Sequence, residues 1–385
     1  MAGCGFVKAK KANMYKMVAW AVMALSVQGV GAQDKGDILV GMSLPLSGFN
    51  AAAGKEGLAT ANAYFDSVNK AGGIGGRKIV LRVLDDEFMA DKAAANAKKL
   101  VAEKVVAIFN CWGTSSCSAM MPIVSEAKTP LVTGIAGGGP MRAQPGRYAF
   151  NMRASTDLEI GRMVKQMLVI GQRHIALVYQ NDPFGKSGLL AAEGVFAKAN
   201  ITPLAQIPLE RDASNAPAVV AALSKLQGLN GIILVAAPPA TVKLIPEVRK
   251  VGIAAQFYNL SAQANQKVVT DLGAHTAGVI FTTLVPSPWK GGSSLGEKYR
   301  KLMSETSGKD EYSYLGMEVF INANVLVDGL RKAGNSITSE SLVSGLESAG
   351  GLRYGPIDID YAGKDRQGSS YVGLTMIDSR GHFIE

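Results

Sequence analysis

From residue 37 onward the chain alternates short apolar runs with amphipathic, helix-period segments, and it does so twice. The first series has strands at 38–44, 79–84, 105–109 and 131–133, with helices at 51–70, 91–104 and 116–128 between and after them. A second series follows Asn151-Met152-Arg153: helix 157–170, strand 174–179, a loop at Asn181-Asp182-Pro183-Phe184-Gly185, helices 186–199 and 216–227, strand 231–235, helix 240–251, and strands 256–259 and 279–283. Helices at 295–307, 314–332 and 338–348 precede a strand-rich tail. Continuous apolar strands separated by helices argue for a parallel sheet covered on both faces. Two series of similar size with no low-complexity linker predict two Rossmann-like α/β lobes joined by short crossovers.

Within the first series, Val105 to Met121 combines a buried-strand run with a Gly113-Thr114-Ser115-Ser116 cluster and an apolar stretch ending at Thr129-Pro130. A strand that passes through small hydroxyl residues into a helix start presents backbone N–H groups and a partial positive charge. Such a place seats anions, and Ser115 and Ser116 add hydroxyl donors. A helix cap is the other role open to those two serines. Cys111 and Cys117 flank the cluster. In an oxidising compartment a bridge between them would staple it; as free thiols they would be small buried apolar side chains.

The chain opens with Lys8, Lys10, Lys11 and Lys16, an apolar run over 17–30, and Val30-Gly31-Ala32. This is the pattern of a cleaved export signal over 1–32, with Gln33 as the mature start. Cys4 precedes the apolar run and so is not a lipid-bearing cysteine. Cleavage leaves 353 residues, enough for two cores, and removal of four lysines without an acid lowers the formal charge from +9 to +5. The remaining basic residues are scattered, so no nucleic-acid partner is expected.

Catalytic patterns are missing from the sequence. His174, His275 and His382 stand singly, and there is no His-Glu-x-x-His, no metal-spaced cysteine pair and no Gly-x-Ser-x-Gly. Asp85-Asp86-Glu87 reads as a solvated turn rather than a metal or acid–base cluster. Gly72-Gly73-Ile74-Gly75-Gly76 lies after a helix and before a strand, the reverse of a dinucleotide fingerprint. No enzyme, metal or cofactor is expected; an exported α/β hydrolase would need a nucleophile–base pair that the residues do not offer.

Leu44-Pro45-Leu46-Ser47-Gly48, the run from Asn69 to Ile79, Asp85-Asp86, Asn181 to Gly185 and Arg249-Lys250-Val251-Gly252 occur in an order that resembles the periplasmic leucine/isoleucine/valine-type binding proteins of ABC importers. The resemblance spans about 37–377 and implies the type I periplasmic-binding fold. Its discontinuous N-terminal lobe would hold 37–152 plus 284–353, the second lobe 153–283 plus 354–385, with three crossovers as a hinge and the ligand between the lobes. It further implies that Ser115 donates to a ligand carboxylate and that Ala136, Gly137 and Gly138 offer main-chain groups. Phe184 would be an aromatic from the second lobe, with Tyr314 or Tyr312 as another wall. Each has a plainer alternative: core for Phe184, a helix start for Tyr314, a cap for Ser261.

The departures bear on the ligand. Amino-acid binders of this kind often have a threonine at the position of Gly138 and an acid near Ser261, so the partners of an α-amine are expected to be absent. Ala236-Ala237-Pro238-Pro239 replaces a polar or aromatic stretch, which puts Pro239 at the pocket, and Ala53 replaces a large aromatic. The expectation is a periplasmic solute receptor of the importer class for a small carboxylate, an amino acid or an aliphatic or aromatic acid. Its partner would be an inner-membrane ABC permease, and it would be a monomer. A sensory receptor of the same fold, handing its ligand to a signalling partner, is the alternative.

Overall fold

In the computed structural model, Met1 and residues 36–143, 146–308, 311–362 and 366–385 are described. The expected signal segment 1–32 lies, apart from Met1, outside them. Among the described residues no helix is long and apolar enough to cross a membrane.

In chain order, the first half comprises β1 (Ile38–Leu44), α1 (Ala51–Lys70), β2 (Ile79–Asp85), α2 (Ala90–Ala102), β3 (Ala107–Trp112), α3 (Thr114–Glu126), β4 (Leu131–Ile135), α4 (Pro140–Ala143) and β5 (Ala149–Phe150). The next part holds α5 (Thr156–Val169), β6 (Ile175–Gln180), α6 (Pro183–Ala199), β7 (Ala205–Leu209), α7 (Ala216–Leu223), β8 (Gly231–Val235), α8 (Pro238–Lys250), β9 (Gln256–Asn259), α9 (Gln266–Leu272) and β10 (Ile280–Thr283). The last holds α10 (Ser294–Ser307), α11 (Tyr314–Lys332), α12 (Ser339–Glu347), β11 (Leu352–Tyr354), β12 (Ile357–Ile359), β13 (Gly373–Ile377) and β14 (Phe383–Ile384).

The first sheet has the order β2-β1-β3-β4-β5, and the second contains β10-β9-β8-β6-β7. Renumbered within each lobe, the five parallel strands follow one winding, with the order reversing beside the first strand. Strands such as β3, buried at every position, carry apolar residues on both faces because helices cover both. In the first lobe, Ala93, Ala97 and Leu100 of α2 pack with Met120 and Val124 of α3, while α1, α11 and α12 join the larger core cluster. In the second, Ile160, Met163 and Met167 of α5 meet Phe196 of α6.

The second sheet is not wholly parallel, since β13 runs antiparallel to β10 and to β14. The lobe boundary expected at 353/354 falls within the β11–β12 hairpin. Tyr354 donates to Asp328 of α11 at 2.8 Å, and the buried Tyr361 hydroxyl donates to the Asn151 carbonyl at 2.7 Å. Tyr354 and Tyr361 are thus tied to elements expected in the first lobe. Ser369 N–H bonds the Met152 carbonyl at 2.8 Å, which places Ser369 beside the 151–155 crossover.

β3 runs three residues further than its apolar run suggests, to Trp112, and only Gly113 separates it from α3. Gly113 has φ 85°, and a Cβ on it would lie 2.6 Å from the Phe88 ring, so glycine is required twice over. Cys111, at the end of β3, and Cys117, in the first turn of α3, are joined in a disulfide with Cα atoms 5.5 Å apart. The bridge closes a loop of six-residue separation across that one-residue turn. Replacing both cysteines by alanine should cost roughly 2 kcal/mol by the loop-closure argument, read as a lower denaturation midpoint under non-reducing conditions. The unfolded, unreduced protein should yield no thiol from Cys111 or Cys117, and two titrating there would contradict the bridge.

Candidate ligand-binding site

The carboxyl ends of β1 and β3 face those of β6 and β8, and between them lies a cavity of about 320 Å³. Each lobe contributes the point where its strand order reverses, the place where open α/β sheets leave a crevice. Asn50 and Ala53 follow β1, and Trp112 to Ser116 follow β3. Gln180, Asp182, Pro183 and Phe184 follow β6, and Ala236, Ala237 and Pro238 follow β8. Ile135, Leu284, Val285 and Leu315 add to a wall that is mostly apolar.

One polar corner is the start of α3. Its N-cap is Gly113, and no side chain caps it, so the cap alternative for Ser115 and Ser116 is not what the structure contains. Both serines sit in the first turn, where the amides of Thr114, Ser115 and Ser116 have no intrahelical acceptor. Ser115 and Ser116 line the cavity with Thr114, whose buried hydroxyl has no hydrogen-bond partner among the described residues.

A second polar corner was not foreseen. Arg153, in the first crossover, and Glu318, on α11, are 5% and 4% exposed and both line the cavity. Arg153 Nε lies 3.0 Å from Glu318 Oε1, and its Nη2 donates to Glu318 Oε2 at 3.2 Å and to Ser261 Oγ at 3.0 Å. The Ser261 amide donates to Glu159 Oε2 at 2.8 Å, and Thr282 Oγ1 donates to the same oxygen. Burial pushes the Glu318 carboxyl above its ordinary range, and the Arg153 charge pulls it back. Ser261 opens a short 3-10 turn, and the following helix is capped by Asn265 instead.

The lips of the cavity meet across the lobes. Gly139 N–H donates to Ser187 Oγ of α6 at 2.8 Å. Arg211, beyond β7, donates to the Phe88 carbonyl at 3.2 Å and lies 5.2 Å from that ring's centroid.

Of the residues expected from the sequence, Ala53, Ser115, Ala136, Gly137, Phe184, Ser261 and Tyr314 line this cavity. Gly138 and Pro239 do not. Gly138 lies behind the wall, where a Cβ would come 2.5 Å from the Thr114 side chain, and Pro238 takes the place given to its neighbour. Pro239 and Tyr312 border a separate, outer chamber. Phe184 is half-buried in the first turn of α6 and touches the second-lobe core as well. Tyr314 both begins α11 and lines the cavity, its hydroxyl donating to Glu385 at 3.1 Å. The expected absence of an acid near Ser261 is corrected by Glu318, which arrives from a helix 57 positions away and is already engaged by Arg153. An acid inside an apolar helix buried nearly all round was the available signal, because such a charge must have a partner.

The Asp85–Glu87 turn divides. Asp85 accepts from the amides of Leu46 and Glu87 at 2.8 and 2.9 Å, as a turn aspartate does. Asp86, in contrast, is fully buried. It accepts from Ser43 Oγ and from the Phe88 amide, each at 2.9 Å, and so holds the loop whose ring packs on Gly113. Among the described residues no group of three or more His, Cys, Asp or Glu could hold a metal.

Two parallel-sheet lobes wound alike, with a cavity between their strand ends, define a two-lobed α/β ligand receptor. A family model described as periplasmic binding protein matches residues 37–382, and the chain belongs to that family. The chain is 25% identical over 330 residues to Leu/Ile/Val-binding protein homolog 1 of Brucella abortus, covering 80% of this chain and 84% of that one. A substrate-binding periplasmic protein from Ralstonia solanacearum superposes with TM-score 0.83 at 27% identity, covering 90% of this chain and 99% of its own. A fatty acid ABC transporter substrate-binding protein from Thermomonospora curvata superposes with TM-score 0.82 at 20% identity, covering 91% of each chain.

Burial pushes the Asp86 carboxyl up to about 6. Its folded value thus lies above the unfolded one near 4, so the folded state holds the proton more tightly between them. The stabilisation this gives is complete below about pH 4 and lost as pH rises through 6, at most ~3 kcal/mol. Denaturation midpoints compared between pH 4 and 7 should fall less for Asp86→Asn than for the parent; parallel profiles would refute this.

Proposed function

We propose that the protein is the solute-binding component of an ABC importer of the branched-chain amino acid type, exported to the periplasm, where it captures a small carboxylate. The observation that carries this reading is the uncapped start of α3, open to the cavity through Thr114, Ser115 and Ser116. An anion placed there meets amides without acceptors, the Ser115 hydroxyl and the positive end of the helix dipole. The rest of the wall, with Trp112, Phe184, Ile135 and Leu284, suits an aliphatic or aromatic body.

The acids at the cavity are engaged within the protein. Glu318 is held by Arg153, and Asp182 accepts from the Gly185 amide and from Gln180. A ligand ammonium would have to displace one of these partners or go unpaired in a dry cleft, at a cost of several kcal/mol. An acid without an α-amine avoids that cost. A ligand touching both lobes favours the closed arrangement tied by Arg211 and Ser187, and an inner-membrane permease then recognises that form.

Glu318 also favours a second reading. A carboxylate lining the cavity can serve an α-amine if Arg153 yields, and the Brucella relative is named for leucine, isoleucine and valine. Calorimetry with 4-methyl-2-oxopentanoate, benzoate and leucine separates the two. The oxo or aryl acid should bind more tightly than leucine, whereas tight leucine binding with neither acid bound would select the amino-acid reading. In the same assay Ser115→Ala should weaken the bound acid by about 1–3 kcal/mol, and unchanged affinity would remove the carboxylate seat.

A further inference from the structure

Outside the inner cavity lies a chamber of about 970 Å³ between α1, α8, α9, α10 and the start of α11. Asn50, Ala53, Pro238, Asn265 and Leu315 line both spaces. The two therefore share a boundary, and at it stand a methyl group, a proline ring and a leucine.

We propose that the outer chamber receives the apolar tail of the ligand, so that the protein selects alkyl or aryl-alkyl monocarboxylates longer than a branched-chain amino acid. This rests on the carboxylate reading above, with the headgroup at the start of α3. The chamber is far larger than the packing defects that interiors tolerate. Its volume matches the upper range of small-molecule sites, about 1,000 Å³. The walls beyond the shared boundary include Val242 of α8, Val268 of α9, Met303 of α10 and Trp289. Trp289 is 38% exposed and stacked on Phe383, so an apolar face stands ready for cover.

Four of the charged groups around this space, Glu56, Lys243, Lys267 and Asp271, are engaged within the protein, while Lys55 is exposed to solvent. Lys267 pairs with Asp271 at 2.8 Å, Lys243 donates to the Asp212 carbonyl at 2.9 Å, and the Ser313 hydroxyl donates to Glu56. They call for no second charge on the ligand. An uncharged tail covering the apolar wall gains the transfer free energy of each methylene that leaves water. A branched-chain side chain would end within the inner cavity and leave the outer wall wet.

The test is calorimetry on the purified chain with butanoate, octanoate, dodecanoate and benzoate. Affinity should rise with chain length, dodecanoate binding at one site per chain and at least about tenfold more tightly than butanoate. Val242→Asp places a charge in the outer chamber away from the headgroup. It should weaken dodecanoate by about tenfold or more and leave butanoate within about twofold. Butanoate binding also reports that the variant is folded. Butanoate or benzoate binding with no gain for the longer acids would overturn the tail chamber while leaving the carboxylate reading intact. Dodecanoate binding at several sites, or unaffected by Val242→Asp, would overturn it likewise. Failure of every acid to bind would overturn both.

Discussion

A buried guanidinium and a buried carboxylate cannot be left alone, and Arg153 and Glu318 meet that constraint by pairing with each other. Arg153 belongs to the crossover between lobes, Glu318 to α11 of the first lobe, and the Ser261 hydroxyl that shares Arg153 to the second. Through the Ser261 amide the chain of contacts reaches Glu159 and Thr282. Three elements that would otherwise be free to slide are thus registered at the floor of the cavity. An apolar floor could pack as tightly, but it would not specify which atoms meet.

Above that floor the winding of the sheets decides the rest. Because each lobe runs its strands in the same order, each opens a crevice beside its first strand, and the two crevices face each other. The first lobe supplies polarity from backbone, through a helix start that nothing caps. The second supplies shape, through Phe184 and the proline-bearing start of α8. Asp86 and the Cys111–Cys117 bridge hold the first-lobe walls from behind, one beneath Phe88 and the other across Gly113. The cavity is therefore asymmetric in charge although its frame is nearly symmetric.

Much of the frame was legible along the chain, because period and punctuation are local. The helix at 51–70 and the strand at 38–44 fall where their patterns put them. The β3–α3 junction was harder. The apolar run ends before Asn110, yet the strand continues to Trp112, since beyond Asn110, whose φ is 57°, Cys111 and Trp112 pair with Gly134 and Ile135 of β4. Ser115 was readable as a donor at a helix start. Gly137 and Pro238 line the inner cavity while their neighbours Gly138 and Pro239 do not, because which of two neighbours faces a cavity depends on the path of a loop. Ala205–Leu209, with alternating exposure at the sheet edge, lacked the apolar run that marked the central strands.

The sequence by itself determined the alternation of strand and helix, the two-lobed α/β class, and a small-hydroxyl helix start suited to an anion, because each depends on residues close together in the chain. Only the tertiary structure decided that Glu318 meets Arg153, that Arg211 reaches Phe88, and that Ala53, Pro238 and Leu315 border two adjoining spaces. Those are contacts between residues tens to hundreds of positions apart. Burial and charge neutralisation select them only once the sheets have wound and the lobes have met.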